Sequence, residues 1–574
     1  MESSNQFLIV LLSVFIIHGC AQKAPAEFIA VNLAGYQMDD NKEAFLVNAQ
    51  ASTFEVVNSL YGDIVYTGTA KEHYQSDPAS GDEVTILDFT VLDSPGLYFI
   101  RVKEPIPYLS ETFEIAADPY SDATLKAIQS YYYHRCGTKV ENSTPWSYQI
   151  CHLEDAPFYG NIERRKEVTG GWHDAGDYNK FSVNTSFSVA MLLYLYESDP
   201  AKFLDGQLNI PENNNGIPDI LDETKWALDW LLKMQDSNGG VFHKVSQKKW
   251  VGEFLPTNDP TQRYIFNVSS AATASFAATT ALASQMYVDF DPIFAQELER
   301  ASIRAWKYLQ QNPIDIPLGG FENPKDVQGG EYGDNDDLDE RMWASLELFK
   351  LTSDEKYLRY YTGNFWKISK NKIQPLSWRN VSSIILNGFY NLDTGSKLGS
   401  LKESAGSLII AHADALLKVQ AKNNYKNLVK HTEYYWGSNS VGLAYAYDLI
   451  KAYEITGQEH YKTGALDQLH FVMGRNPFNL SQITGVGTRA VRYPYHQLSE
   501  KDGVVEPVPG MLVGGPNNHT HLRGNEISPF PAKNYEDEFK NYLVNEVAIN
   551  YTAVFAYVSG YFSSPSNHNI LTKN

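Results

Sequence analysis

The sequence predicts a chain in two structural parts, an all-β sandwich followed by a larger all-α domain. Three observations point there. Residues 27–118 hold short β-rich runs separated by turn residues. Residues 119–565 hold long stretches with apolar residues at helical spacing and no strands alternating between them. At 574 residues, the chain is longer than one hydrophobic core usually serves.

The first residues read as an export signal. Phe7 to Ile17 is an apolar run too short to span a bilayer as a helix. It ends Ile17-His18-Gly19-Cys20, which resembles a bacterial lipobox, although Met1 to Asn5 contain no Lys or Arg. Residues 1–20 are therefore expected to be a lipoprotein signal, with cleavage before Cys20. That would leave a lipid anchor in a bacterial membrane, expected to be the outer one, as the chain's only link to a membrane, with the protein facing the periplasm or the cell surface. Ala21 to Ala26 read as a short tether.

The β-rich part follows. Phe28-Ile-Ala-Val-Asn, Glu43-Ala-Phe-Leu-Val, Thr53-Phe-Glu-Val-Val, Asp63-Ile-Val-Tyr, Val84-Thr-Ile-Leu-Asp-Phe and Leu97-Tyr-Phe-Ile-Arg-Val are separated by turns such as Tyr61-Gly62-Asp63 and Ser94-Pro95-Gly96. This spacing suits a sandwich of about 90 residues. Beyond residue 119, apolar Ile217, Ile220, Leu221, Ala227, Leu228, Leu231 and Met234 form one helical stripe with Pro218 in its first turn. Similar stripes fall near 182–196, 269–287, 293–310, 341–352, 404–419, 440–455, 459–473 and 541–562. The connections are long and rich in Gly, Pro, Asn and Asp, the kind of loop that carries function.

Composition narrows the partners. A net charge of −21 repels phosphate backbones, which excludes nucleic acid. Aromatics reach 13%, with 37 Tyr and 10 Trp, a supply of flat rings for a large core or for stacking on sugars.

Two strings carry chemistry. Gly170-Gly171-Trp172-His173-Asp174-Ala175-Gly176-Asp177-Tyr178 places two carboxylates, with small residues between them, in a loop before a helix. Such a pair can hold one water and remove its proton; the same residues also suit an Asx-rich turn or a metal loop. Near the C-terminus, Glu546 stands among apolar residues at the head of the 541–562 stripe. A carboxyl there can have a raised pKa and donate a proton, or simply complement a helix dipole.

Together these strings resemble the signatures of glycoside hydrolase family 9, the cellulase family with an (α/α)6 barrel. Trp436-Gly-Ser-Asn, Gly474-Arg-Asn-Pro, Ser481-Gln-Ile-Thr-Gly-Val-Gly and Leu512-Val-Gly-Gly-Pro are similar to family strings in family order. The segment from Ala30-Val-Asn-Leu-Ala-Gly-Tyr resembles the immunoglobulin-like module that often precedes such barrels. The resemblance implies Asp177 as base, Asp174 as the carboxylate that helps hold the water, Glu546 as acid, and Tyr551 and Asp537 near the acid. It also implies inversion, with carboxyls about 6.5–9.5 Å apart. Trp172, Trp436 and His496 are candidate sugar contacts or core residues. Where the family has Pro-His-His-Arg, this chain has Pro494-Tyr495-His496-Gln497, and Gln replaces a charged fork with a weaker donor.

Two metals enter the same reading. Cys136, Cys151, His152 and His173 make a tetrahedral Zn²⁺ set and match the family's zinc ligands; a Cys136–Cys151 disulfide is the alternative. Asp339 and Glu340, within Glu331-Tyr-Gly-Asp-Asn-Asp-Asp-Leu-Asp-Glu, fall where the family often binds Ca²⁺, or form an acidic first helical turn. The expected activity is endo-cleavage of a cellulose-like or branched β-1,4-glucan. The alternatives are an exo-acting cello-oligosaccharide or glucosaminide hydrolase, a non-catalytic glycan-binding lipoprotein, and a lyase.

Overall fold

The computed structural model describes residues 26–154, 156–369, 373–393, 395–518 and 527–564. The expected signal and Cys20 lie outside the described residues. Among the described residues, no helix is long and apolar enough to cross a membrane.

The N-terminal part is a two-sheet sandwich. Its strands are β1 (Phe28–Ala30), β2 (Tyr36–Gln37), β3 (Glu43–Val47), β4 (Thr53–Asn58), β5 (Ile64–Thr69), β6 (His73–Tyr74), β7 (Val84–Asp88), β8 (Gly96–Val102), β9 (Tyr108–Leu109) and β10 (Phe113–Ala116). One sheet runs β1-β3-β7-β6 and the other β2-β10-β8-β4-β5, with β9 also on β8. Neighbours are antiparallel except β10 and β2. The first sheet is buried on both faces. Ile29, Leu46 and Leu87 point into the sandwich core, while Ala30, Phe45, Val47 and Ile86 join the core of the helical part. Two-sided burial explains why Ala-Phe-Leu-Val of β3 is continuously apolar rather than alternating.

The helical part contains α1 (Ser121–Ser130), α2 (Ser182–Ser198), α3 (Asp219–Met234), α4 (Ser270–Tyr287), α5 (Pro292–Gln311), α6 (Leu338–Thr352), α7 (Glu355–Ser369), α8 (Ser382–Asn391), α9 (Gly399–Gln420), α10 (Ser438–Thr456), α11 (Glu459–Val472), α12 (Gln497–Lys501), α13 (Tyr542–Asn545) and α14 (Ile549–Phe562). The long ones pack in pairs: α2 with α3, α4 with α5, α6 with α7, α8 with α9, α10 with α11, and α14 with α1. The first member of each pair also packs on its counterparts, α14 on α2, α2 on α4, α4 on α6, α6 on α8, and α10 on α14. This is an (α/α)6 barrel, closed by joining the first helix to the last.

The sequence distinguishes the two rings. Inner α4 is apolar or small on every side, with Ala271, Ala274, Phe276, Ala278, Ala281 and Leu282 all buried. Outer α5 buries one stripe, Phe294, Leu298, Ala301, Ala305 and Leu309, and keeps charges on its other face.

Two features differ from the expected all-helical reading. A small sheet runs β12-β11-β16-β15-β13, and a separate pair is β14-β17. Their strands are β11 (Ala156–Phe158), β12 (Asn161–Lys166), β13 (Lys180–Phe181), β14 (Val241–Phe242), β15 (Lys244–Gln247), β16 (Arg263–Ile265) and β17 (Val268–Ser269). The expected 541–562 helix is also broken. Between α13 and α14, Glu546 to Ala548 are extended and bridge Tyr495, Val513 and Ala175. Glu546 is therefore not at a helix head: its extended backbone is claimed by a neighbouring segment.

Sandwich and barrel share a polar, buried boundary. Leu33 N donates to Met473 O at 2.9 Å, and Gln37 Nε2 to Phe562 O at 2.8 Å. Arg475 is buried there, its guanidinium on Asp467 and 3.8 Å from Glu43 Oε2.

Candidate active site and metal centre

The candidate carboxylates lie just before the first turns of inner helices. Asp174 and Asp177 precede β13 and α2, and Glu546 precedes α14. Backbone contacts join the two regions: Ala175 bridges Ala548, and Ile549 N donates to Asp174 O at 2.9 Å. The Gly176 N–H also faces the Glu546 carboxylate. The loop and the Glu546 segment are thus side by side, although about 370 residues separate them in the chain.

Each carboxyl has a different setting. Asp174 is 1% exposed; its Oδ1 accepts from Asn184 Nδ2 at 2.9 Å and its Oδ2 from Tyr332 OH at 2.8 Å. Burial pushes its pKa up to about 7, against the pull of those two donors. Asp177 is half-buried, and Asn179 holds both its oxygens at 2.9 Å, through N and through Nδ2. Burial raises its pKa as well, opposed first by the Asn179 donors and then by the Lys244 charge. Glu546 is half-buried too. Burial, then the charges of Asp177 and Asp174, hold it well above the usual carboxylate range. Asp177, held by fixed donors, therefore lies near a carboxyl, Glu546, whose proton is held more tightly than a free carboxylate's.

Several sequence candidates fall elsewhere. Trp172 is fully buried, its Nε1 donating to Glu223 Oε1 at 2.8 Å, so it offers no face to a sugar. Its string is packed by the Glu223–Arg135 pair beneath it, where Arg135 Nη2 lies 2.9 Å from Glu223 Oε2. His496 is 3% exposed, with Nδ1 2.9 Å from Ser499 Oγ and its ring against His134. Its Nδ1 is thus occupied, and its ring is largely enclosed. Gln497, at the family's Arg position, accepts from Phe254 N at 3.0 Å, and its own N–H donates to Gly176 O at 3.0 Å. Trp436 and Tyr551 remain half-buried beside Gly437. Asp537 accepts from Arg492 N and Tyr493 N, both at 2.9 Å, and so braces the 490–495 segment.

Three residues here have no local signal strong enough to single them out. Tyr332 stands inside the acidic string and reaches Asp174 from a left-handed backbone, φ 49°. Asn184, one turn into α2, reads only as a helix residue. Tyr495 lies directly on Gly176, and only that glycine's place in the loop hints at the close approach.

The zinc candidates converge. Among the described residues, Cys136, Cys151, His152 and His173 form the only cluster of metal-ligand types, with all ligand atoms within 4.8 Å of one another. Both cysteines are free thiols, not a disulfide. His173 Nε2 is buried with no hydrogen-bond partner. His152 turns Nδ1 to Cys136 Sγ at 3.8 Å and Nε2 to Asp259 Oδ2 at 3.3 Å, again from a left-handed backbone, φ 52°. A carboxylate behind a histidine is the usual outer shell of a zinc ligand, so the residues fit a closed Zn²⁺ site. The cluster lies directly before Asp174.

The acidic string ends in a second polar pocket. Asp334, Asp339 and Glu340 are buried at the start of α6. Asp339 Oδ2 accepts from Val381 N at 2.8 Å, while Asp334 Oδ2 and both Glu340 oxygens have no partner. Burial pushes Asp334 up to about 7, Asp339 up to about 6, and Glu340 well above the usual carboxylate range. Oxygens buried without donors set this group apart from a solvated helix turn, although its ligand atoms do not converge as those of the cysteine–histidine cluster do.

Comparison with known proteins agrees with the fold and the strings. Residues 120–559 match the model for glycosyl hydrolase family 9, and residues 24–105 match the cellulase N-terminal ig-like domain. The chain belongs to glycosyl hydrolase family 9. It is 34% identical to endoglucanase D of Acetivibrio thermocellus over 94% of this chain and 84% of that protein. A cellodextrinase of Butyrivibrio fibrisolvens is 33% identical, over 92% of this chain and 98% of that one. A crystal structure of a metagenome-derived family 9 endoglucanase superposes with a TM-score of 0.87 at 33% identity, covering 93% of this chain and 99% of the other. The protein is a glycoside hydrolase of this family.

Proposed function

We propose that the enzyme is an inverting endo-β-1,4-glucanase, in which Glu546 is the general acid, Asp177 the general base, and Asp174 a carboxylate that helps position the attacking water. The observation that carries this is the pairing of Ala175 with Ala548, which brings the Asp177 loop beside Glu546. Glu546, neutral in its enclosed setting, gives its proton to the glycosidic oxygen as the bond to the anomeric carbon breaks. Asp177 takes a proton from water as that water attacks the same carbon from the opposite face. Asp174, fixed by Asn184 and Tyr332, supports the water by accepting a hydrogen bond from it.

The half-buried Trp436 and Tyr551 would line the groove near the acid. Similarity to an endoglucanase and to a cellodextrinase leaves chain length as the finer question, and endo-cleavage of a cellulose-like or branched glucan is the first reading. Proton NMR of the first products tests the stereochemistry: inversion predicts the α-anomer at the outset, and initial β-anomer would exclude the mechanism. Product profiles on cellulose, xyloglucan and cello-oligosaccharides test the mode, since random internal cuts are expected, whereas stepwise release of one short product would favour the exo reading.

Two metals accompany the reading. Cys136, Cys151, His152 through Nδ1 and His173 through Nε2 would hold a structural Zn²⁺ that fixes the loop carrying Asp174 and Asp177. Asp334, Asp339 and Glu340 would share a Ca²⁺ at the head of α6. Export, with a lipid anchor at Cys20 on a bacterial membrane, completes the proposal. It is supported by Ile17-His18-Gly19-Cys20 in the sequence.

A further inference from the structure

Lys244 is fully buried on β15, with its ammonium among three rings, 4.7 Å from the Phe266 centroid, 5.4 Å from Phe181 and 5.5 Å from Phe321. Its Nζ donates to Asn323 Oδ1 at 2.6 Å and to Gly330 O at 2.8 Å. Both acceptors belong to the stretch that leads into Tyr332. Asn323 closes that stretch on itself, its Nδ2 donating to Gly329 O at 3.0 Å and its N to Glu331 Oε2 at 2.8 Å.

Two lines of contact run from this cation to the candidate carboxylates. One follows the loop: two residues past Gly330, Tyr332 OH donates to Asp174 Oδ2 at 2.8 Å. The other follows the strand. Gln247 N, at the end of β15, donates to Asn179 Oδ1 at 3.0 Å, and Asn179 holds both oxygens of Asp177. The lines meet where the loop lies on the Asp177 segment. A Cβ at Gly329 would be 3.6 Å from Asn179 Nδ2, and one at Gly330 would be 3.1 Å from the Phe181 ring. Phe181 in turn pairs with Lys244 across β13 and β15.

The charges agree with this geometry. The Lys244 cation pulls the Asp177 carboxyl down, whereas burial and the Asp259 charge push it up. Asp174, Glu546, Tyr178 and Tyr495 also act on or feel Asp177. Burial pushes Lys244 itself down to about 7, against the charges of Glu331 and Asp177, so it is charged in acid. A cation buried against its own solvation fits a role in the site better than a role in the fold.

We propose that Lys244 is a positioning residue for the catalytic pair: its ammonium holds the 323–331 loop against β13 and β15, and so fixes Asp174 through Tyr332 and Asp177 through Asn179. The proposal rests on the hydrolase reading above and adds a residue that touches neither substrate nor water.

The test compares wild type with Lys244→Met, which removes both charge and donor, and Lys244→Gln, which keeps a donor. The readouts are kcat, KM and the pH profile of kcat/KM on a soluble β-1,4-glucan, with Tm for each protein. Lys244→Met should lower kcat about 10²-fold and leave KM within about twofold, since the loss is one of placement rather than of substrate contact. Lys244→Gln should recover part of kcat. In both variants the acid limb should move to higher pH, because Asp177 has lost the cation that favours its ionised form. An unmoved acid limb in the folded variants would overturn the proposal, and a lower Tm with that limb in place would mark a structural role. If Lys244→Met does not fold, the limb of Lys244→Gln decides. Near wild-type release by Asp177→Asn would sink the hydrolase reading instead. The crystal structure of Lys244→Gln would then decide for Lys244: Gly329 and Gly330 drawn away from Asn179 and Phe181 would support the role, and an unmoved loop would overturn it.

Discussion

Gly176 lies directly under Tyr495. A Cβ at Gly176 would sit 2.3 Å from the Tyr495 carbonyl oxygen and 2.5 Å from its ring. Tyr495 pairs with Glu546 and Gly176 adjoins Asp177, so this contact sets the spacing of the two candidate carboxyls. The backbone cannot yield as a flexible side chain would. Gly176→Ala should therefore keep the fold but lower kcat about 10²-fold, the scale of a misplacement near 1 Å. Steady-state rates with circular dichroism would check this. Normal rates would mean that the spacing does not depend on this contact.

The raised carboxyls make stability depend on pH in a definite direction. Glu546 ionises at its ordinary pKa when unfolded but holds its proton to higher pH when folded, so wild type loses stability as pH rises from the ordinary value toward the raised one. Glu546→Gln has no such slope. The variant should match wild type in Tm in acid and exceed it increasingly toward neutral pH. Thermal melts across that range would show the gap widening, and a gap that closes would mean Glu546 is not held neutral.

Activity should follow a bell. Asp177 must be ionised and Glu546 protonated. Asp177 is raised by burial, so the acid limb should lie above the ordinary carboxylate range. The alkaline limb should be set by Glu546 and vanish from the residual rate of Glu546→Gln. The pH profile of kcat/KM for both proteins is the measurement.

Asp259 supports the zinc candidates without being one of them. Its Oδ2 meets His152 Nε2 at 3.3 Å, which orients the ring and leaves Nδ1 for the metal. Asp259→Asn should weaken zinc affinity about 10- to 100-fold. Competition with a chromogenic chelator would read the affinity directly. An unchanged affinity would remove Asp259 from the outer shell.

The boundary between the domains concentrates charge around Arg475. It is fully buried, and Asp467 and Glu43 face it. Arg475→Met should destabilise the protein by about 3–5 kcal/mol, because it leaves Asp467 buried without its partner. Adding Asp467→Leu should recover much of the loss. Denaturant titrations of the single and double variants would test this.

The fold was largely legible because its signals are local. Continuous apolar β3 and striped α5 each announce their burial within a few residues. The cysteine–histidine cluster was legible because Cys151 and His152 are adjacent and His173 adjoins Asp174. What was lost depends on distant partners. The apolar run from 541 to 562 looks like one helix, and its break at Glu546 is set by pairing with Tyr495, Val513 and Ala175. Trp172 and His496 stand in site strings but face inward, since local sequence does not say which way a ring points. Tyr332 meets Asp174 across a sequence separation of 158 residues, beyond any local pattern.

The central claim is that Asp177 and Glu546 share one reaction. It is tested most directly by the rate of reducing-sugar release from a soluble β-1,4-glucan by wild type, Asp177→Asn and Glu546→Gln, each confirmed folded. Each substitution should cut kcat by about 10²- to 10⁴-fold. Near wild-type release by either variant would contradict it.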